Sequence, residues 1–431
     1  MTRFASTRDP SLAVGFSAAL MQGLAPDGGL YVPATHPQVT PRQFDGAQSL
    51  PAIAARLLAP FLGADPLTGV LPRLCAEAFS SPAPLQPLDA HGRLFVLELF
   101  HGPTAAFKDF GARFLAACFA GLRSPGARAL TILVATSGDT GAAVASAFFE
   151  RPDVEVAVLF PKGLVSATQE RQLTCWGGNV RSLAVRGTFD DCQRLVKAAF
   201  ADADLTSRTL LASANSINLA RLLPQMSYFA AASLEIWRRY GEPAAFVVPS
   251  GNLGNALACL WARAAGLPIG EVVLAHNANR TVPDFLATGT WRPRPSIATL
   301  ASAMDVGDPS NAERLRALYP GFAELQRAVS ACSVSDAQIR ARIRAGYEVY
   351  GQIWCPHTAT AAEACEWLPA ARRAGQRWVI VSTAHAAKFP EIVEPLIGRA
   401  VPVPPSLAKL FARAGSCVEI APDLSALRAA L

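Results

Sequence analysis

The feature that most constrains how this chain can fold is a succession of short, continuously apolar, β-rich runs separated by helical patterns. The runs are Leu130 to Ala135, Val154 to Phe160, Val180 to Val185, Ala245 to Val248, Val272 to Ala275 and Trp378 to Ser382. A strand that is apolar on both faces must be covered on both faces, and helices between successive strands supply that cover. The order predicts an α/β protein with parallel-sheet domains and helices on both faces. In such open sheets ligands bind beyond the carboxyl ends of the strands, so chemistry is expected in the residues that follow each run. No repeat of fixed period and no low-complexity tract interrupts the pattern.

At 431 residues the chain exceeds the size at which single cores stop growing, which implies two or three domains. The first ~95 residues read as a mostly helical region. It is closed by the proline-rich stretch Ser81 to Pro87, where helices cannot persist. A strand-like run, Leu94 to Phe100, follows and opens the main body.

Composition excludes several function classes. Charged residues make up 17%, below the roughly 25% of average soluble domains, and hydrophobic ones 51%, which suits a large buried core. No apolar run approaches the roughly 18 residues that span a membrane, and the start Met1-Thr2-Arg3-Phe4 lacks a signal-peptide core, so a cytoplasmic location is expected. The nine cysteines are scattered without a C-x-x-C pair and read as buried free thiols. Six histidines show no metal-ligand spacing. The net charge of +6 comes from dispersed arginines, which argues against nucleic-acid binding and fits a small anionic substrate.

Only five of the 39 basic side chains are lysines. In a chain that uses arginine wherever plain charge suffices, a retained lysine points to a need for its amine. Lys108 stands in His101-Gly102-Pro103-Thr104-Ala105-Ala106-Phe107-Lys108-Asp109-Phe110-Gly111, where apolar neighbours desolvate an ammonium and lower its pKa towards a nucleophilic free amine. A primary amine can form an imine with an aldehyde, and arginine cannot replace it. The plainer reading is a lysine snorkelling at a helix end.

Three strand ends and one further segment carry unusual residues. After Ala135 comes Thr136-Ser137-Gly138-Asp139-Thr140-Gly141, opening a helix expected over 142–149; hydroxyls and exposed N–H groups there can cradle a carboxylate or phosphate, or simply cap the helix. After Val248 comes Pro249-Ser250-Gly251-Asn252-Leu253-Gly254-Asn255, where two glycines let the backbone approach a phosphate closely. That segment lacks the Gly-Lys-Ser/Thr ending of a nucleotide loop and the acidic partner of a dinucleotide fold, so one free-standing monophosphate is the better ligand. After Ser382, the Thr383 hydroxyl could face a ring nitrogen or be satisfied within the core. Asn215-Ser216-Ile217-Asn218-Leu219-Ala220-Arg221 places amides, a hydroxyl and a guanidinium close together, compatible with a second anion; capping by Asn215 or Ser216, with Arg221 a solvated surface charge, is the alternative. One lysine, one phosphate loop, one carboxylate loop and one pyridine partner together match the parts of a pyridoxal 5'-phosphate enzyme.

These motifs, with Gly23 to Pro33 and Met304-Asp305-Val306-Gly307-Asp308-Pro309-Ser310-Asn311, resemble the threonine synthase family, of the tryptophan-synthase-β-like group. The Ala25 to Gly29 stretch and the Met304 to Asn311 segment separate it from serine and threonine dehydratases. The resemblance implies a fold-type II enzyme and a division into a mostly helical N-terminal region (1–95), a smaller α/β domain with the lysine segment and carboxylate loop (96–225) and a larger cofactor-binding domain (226–431), the domains interleaving. It implies Lys108 as the lysine that binds the cofactor aldehyde and acts in catalysis. Gly251, Asn252, Leu253, Gly254 and Asn255 would form the cofactor-phosphate loop, and Thr383 would face the pyridine nitrogen. Ser137, Gly138, Asp139 and Thr140 would form the loop around the substrate carboxylate and the cofactor's phenolic oxygen, and Asn215, Ser216 and Arg221 the site of the substrate's phosphate.

The implied reaction is that of a lyase making L-threonine and phosphate from O-phospho-L-homoserine and water, the last step of threonine biosynthesis. Other fold-type II enzymes, a dehydratase or a phospholyase, and a phosphometabolite-binding regulator are the competing readings. Three positions depart from the pattern. Asp139 stands where related enzymes often have Asn, and a carboxylate beside a phenolate is repulsive unless one is protonated. Cys355 replaces an acidic residue and Ala386 a proline. Oligomeric state is not legible in the sequence.

Overall fold

The structure is a computed structural model that describes residues 3–123, 126, 128–136 and 138–431. Two large sheets dominate it. One has six strands in the order Ser330–Ser333, Ile269–His276, Ala244–Pro249, Arg377–Ser382, Leu94–Glu98 and Leu85–Pro87, all parallel except the last pair. The other has five parallel strands in the order Val418–Ile420, Val180–Val185, Val154–Pro161, Leu130–Ala135 and Leu210–Ser213. The sheets interleave along the chain: Leu94–Glu98 pairs with Arg377–Ser382, and the late strand Val418–Ile420 returns to the sheet built from the chain's first half.

Strand alternation sorts the apolar side chains into layers. Leu130, Ile132 and Val134 face a large core shared with Phe246, Val248 and much of the N-terminal region, whereas Leu133 and Ala135 face an outer layer. In the other sheet Ala245 and Val247 face their own outer layer, with Trp378 and Ile380. A single core therefore lies between the sheets, and the carboxyl ends of the central strands border it.

The N-terminal region contains the expected helices, Phe16–Gln22, Leu50–Leu62 and Leu71–Ala78, and also a small antiparallel sheet of Phe4–Ser6, Ala13–Val14 and Tyr31–Pro33. Strands of two or three residues carry no readable alternation, which is why the sequence did not announce them. The Ala25 to Gly29 stretch is a turn serving this sheet. Asp27 accepts hydrogen bonds from the Ser6 hydroxyl at 2.8 Å and the Gly29 N–H at 2.8 Å. Leu85–Pro87, in the proline-rich closure, pairs at the sheet edge, where a proline interrupts least. Among the described residues no helix is long and apolar enough to cross a membrane.

Candidate active site

The lysine segment is sewn to the end of the strand Arg377–Ser382. Phe107 N–H donates to the Thr383 carbonyl at 2.9 Å, His385 N–H donates to the Ala105 carbonyl at 3.0 Å, and Ala106 bridges Ala384. Ala105 holds φ 53°, a left-handed conformation costly for a residue with a Cβ and typical of over-determined functional turns. The turn delivers Lys108 as the first residue of the helix Lys108–Leu122, beside Thr383, itself 6% exposed. Lys108 keeps some accessible surface, yet protein surrounds its amine as densely as an interior group. Burial pushes its pKa down to about 8, with the Lys388 and Arg221 cations acting the same way and Asp139 opposing them.

The loop after Leu130–Ala135 is held by Thr136. Its hydroxyl oxygen accepts from the N–H groups of Gly138 and Gly141, each at 2.9 Å. Gly138 has φ 140°, and a Cβ there would collide with the buried side chain of Gln169. The helix begins at Asp139, not at Ala142 as expected, because Asp139 and Thr140 already take helical geometry and their N–H groups point outward from its first turn. Thr140 is half-buried, and Ser137 lies outside the described residues.

Asp139 is 4% exposed, and Lys388, fully enclosed, places Nζ 2.8 Å from its Oδ1. The angle falls short of hydrogen-bond geometry for Oδ1, so the contact is an ion pair first. Burial alone would raise the Asp139 pKa, but Lys388, Lys108 and His357 outweigh it and hold the carboxyl well below the usual range. Lys388 also donates to the Thr104 carbonyl at 2.9 Å. Sequence reasoning gave Lys388 no role, although the scarcity of lysine that singled out Lys108 applied to it equally.

The Gly251 to Asn255 loop has the form of an anion cradle. Leu253 takes φ 63° and caps the helix Gly254–Ala264. Among the described residues the backbone N–H groups of 251–255 donate to no backbone carbonyl outside that helix. Asn255 Oδ1 accepts from the Tyr228 hydroxyl at 2.7 Å while its buried Nδ2 has no partner among the described residues. A Cβ on Gly251 would lie 2.6 Å from Met304 Cα, so the Met304 to Asn311 segment roofs this loop.

Asn252 donates to Ser216 at 2.8 Å and to Ser310 at 3.1 Å, joining the cradle to the second anion segment. Fully enclosed Arg314 holds the junction, donating to the carbonyls of Ser216 and Ile217 at 3.1 and 2.7 Å and to that of Tyr31 at 2.9 Å, so the N-terminal sheet braces the site. Asn215 spends Nδ2 on the Ala135 carbonyl at 2.9 Å, at the mouth of the carboxylate loop. Neither Asn215 nor Ser216 caps the helix Leu219–Leu222; Asn218 does, at 3.0 Å. Arg221 is not a surface charge. It is 2% exposed, donates through Nη1 to the Ala214 carbonyl, and leaves Nε without a partner among the described residues. Burial lowers its pKa to about 10, still cationic at neutral pH.

The departures are local. Cys355 caps the helix Pro356–Glu366 through its sulfur, which accepts from Thr358 N–H at 3.5 Å, the task an acidic residue would perform. Ala386 opens a short 3-10 turn capped by His385.

A site with N–H donors and an Asn255 amide unspent among the described residues, and one amine of lowered pKa, fits pyridoxal phosphate: the donors for its phosphate, the amine for its aldehyde. The comparisons agree. Residues 78–384 match the model of the pyridoxal-phosphate dependent enzymes, residues 3–79 that of the threonine synthase N terminus and residues 358–431 that of the threonine synthase C-terminal part. A threonine synthase of Haemophilus influenzae is 39% identical over 404 residues, 93% of each chain. The crystal structure of threonine synthase from Escherichia coli superposes with a TM-score of 0.91 at 36% identity, covering 99% of this chain and 98% of that one. The pyridoxal-phosphate-bound threonine synthase from Brucella melitensis superposes equally well, at 0.91 and 33% identity, covering 100% and 98%. The chain belongs to the threonine synthase family, lyases of fold-type II that depend on pyridoxal 5'-phosphate.

Proposed function

We propose that this cleft converts O-phospho-L-homoserine and water to L-threonine and phosphate, the last step of threonine biosynthesis, in the cytoplasm. The observation that carries the substrate choice is Arg221: an enclosed guanidinium whose Nε is unspent among the described residues, within electrostatic reach of the Lys108 amine and not itself part of the Gly251 to Asn255 cradle. Two anion sites around one amine suit one phosphate on the cofactor and another on the substrate. When bound, pyridoxal phosphate supplies an aldehyde that engages amines and a ring that withdraws electrons from the substrate's Cα.

The residues divide the remaining work. Gly251, Asn252, Leu253, Gly254 and Asn255 hold the cofactor's phosphate on N–H donors, and Thr383 offers the pyridine nitrogen a neutral hydroxyl. Lys108 would hold the cofactor; its amine, once displaced by substrate, would take the proton from Cα, pass it on within the site, and only then, neutral again, take one from Cβ, which a pKa near 8 allows at neutral pH. Gly138 and Thr140, with Ser137, bind the substrate carboxylate, and Asp139 stands at the phenolic oxygen. Arg221, Asn215 and Ser216 bind the phosphate that leaves Cγ, and water adds at Cβ. The six-stranded sheet with its helices forms the larger cofactor-binding domain and the five-stranded sheet the smaller one, behind the N-terminal region. All nine cysteines are unpaired, in keeping with a reducing compartment.

Amino-acid analysis after incubating cofactor-loaded protein with O-phospho-L-homoserine tests the proposal. Threonine and phosphate in equal amounts are expected. Formation of 2-oxobutyrate without threonine would replace it with a phospholyase.

A further inference from the structure

Asp139 sits where the proposed site requires a group beside the cofactor's phenolic oxygen, and an ionised carboxylate alone would repel that oxygen. The structure supplies a second charge. Lys388 reaches the carboxylate from the turn after the strand Arg377–Ser382, with Nζ 2.8 Å from Oδ1 and no exposed surface. Its ammonium is fixed by the Thr104 carbonyl at 2.9 Å. Thr104 is in turn tied to Asp109, donating its N–H at 2.9 Å and its hydroxyl at 2.6 Å to that carboxylate. Lys388 therefore has no freedom to swing into the cleft and act on substrate itself.

The other titratable groups around the pair do not take over its charge. His357, from the helix Pro356–Glu366, uses Nε2 to accept from Ala303 N–H at 3.0 Å, and burial lowers its pKa to about 4. His385, on the same turn as Lys388, accepts from Ala387 N–H at 3.1 Å, and burial lowers its pKa to about 4. Both are neutral at working pH. Burial raises the Cys355 thiol, so it too is neutral. Lys108 is committed to the cofactor in the proposed site. Lys388 is then the cation that neutralises Asp139.

We propose that Lys388 is a positioning residue that acts through Asp139: the two form a net-neutral pair, and this pair rather than a bare carboxylate faces the phenolic oxygen of the cofactor. This rests on the cofactor placement proposed above. It explains how a carboxylate serves at a position where an amide would avoid the repulsion.

The test is a double-mutant cycle on the intact protein, read by the dissociation constant for pyridoxal phosphate and by the pH midpoint of the bound cofactor's visible absorbance. Lys388→Met leaves a lone carboxylate; it should weaken cofactor binding at least about tenfold and raise the midpoint by about one pH unit, because negative charge favours the protonated cofactor. Asp139→Asn leaves a lone ammonium and should lower the midpoint. Lys388→Met combined with Asp139→Asn removes both charges and should return both readings to near wild type. A double variant no better than Lys388→Met would overturn the proposal, since a lysine that acts on the cofactor independently of Asp139 is not rescued by removing that carboxylate's charge. If Lys388→Met alone does not fold, Asp139→Asn with and without Lys388→Met decides: a midpoint restored by the second substitution supports the pairing, and identical midpoints overturn it. A wild-type protein that shows no cofactor band would instead fail the cofactor placement and this inference with it.

Discussion

Gly251→Ala tests the geometry of the phosphate cradle most directly. The new Cβ would lie 2.6 Å from Met304 Cα and 3.1 Å from the Met304 carbonyl carbon and oxygen. Comfortable carbon contacts are about 3.5–4.0 Å, so the overlap is about 1 Å, against backbone that cannot rotate away. Overpacking of this kind costs about 1–3 kcal/mol, taken up by the loop or by the Met304 to Asn311 roof. Gly254→Ala is the matched control, because its Cβ would meet only Leu222 at 3.7 Å and Ser216 at 3.8 Å, ordinary contacts. In cofactor-free protein, Gly251→Ala should lower unfolding stability by about 1–3 kcal/mol and Gly254→Ala by less than about 0.5 kcal/mol. Strain placed on the loop should also weaken pyridoxal-phosphate binding about 5- to 150-fold, the same energy read as affinity. Denaturant titration of the two apo-variants and equilibrium titration with cofactor give both quantities. Equal apo-stability of the two variants would refute the reasoning, because only Gly251 meets backbone.

Three further outcomes follow from the site. Reductive trapping of Lys108 in apo-protein by a simple aldehyde, located by peptide mass spectrometry, should rise with a midpoint near pH 8, since the amine reacts only once deprotonated; a midpoint near the unperturbed ~10.4 would show that burial does not act on it. Arg221→Ala should raise KM for a phosphorylated substrate roughly 10- to 150-fold, the worth of a charged hydrogen bond at about 1.5–3 kcal/mol, and should affect a phosphate-free analogue far less; an equal loss with both would assign Arg221 to structure alone. Ala386→Pro should be tolerated or stabilise by about 0.4–1 kcal/mol in thermal unfolding, because Ala386 opens a 3-10 turn, where a proline's missing N–H is not needed.

The sheets were legible where strands are buried on both faces. Leu130–Ala135 and Val180–Val185 coincide with their apolar runs, and Arg377–Ser382 differs by one residue. The strands of the two large sheets that went unread, Leu85–Pro87, Ser330–Ser333, Leu210–Ser213 and Val418–Ile420, all lie at sheet edges. An edge strand is short and partly exposed, so it needs no continuous apolar run and leaves no such signal. The helix at Asp139 began early for a related reason: polar residues in a first turn look like loop in sequence, although their unpaired N–H groups make that turn useful to a ligand. The segments of the candidate site were legible as motifs, but their mutual contacts were not. Nothing in the sequence brings Ser216 to Asn252, or Arg314 to both Ser216 and Tyr31; these contacts depend on how separate segments fold together.

Lys108 and Lys388 show how much of the chemistry depends on that long-range arrangement. Composition alone treats Lys108 and Lys388 alike, as amines retained in a chain that prefers arginine. Their surroundings separate them. Lys388 meets a carboxylate at 2.8 Å and a carbonyl at 2.9 Å, so its charge is spent on protein groups. Lys108 has Lys388 and Arg221 nearby as like charges, and Asp139, its one opposing charge, is already engaged by Lys388. Lys388 thus has a second consequence: its charge opposes, at Lys108, the pull of Asp139 that favours the protonated amine. An arginine at 388 would preserve the charge, but a guanidinium is larger than an ammonium and the position has no exposed surface into which it could expand. The same lysine that lets a carboxylate stand in the site therefore also favours loss of the proton from its neighbour Lys108.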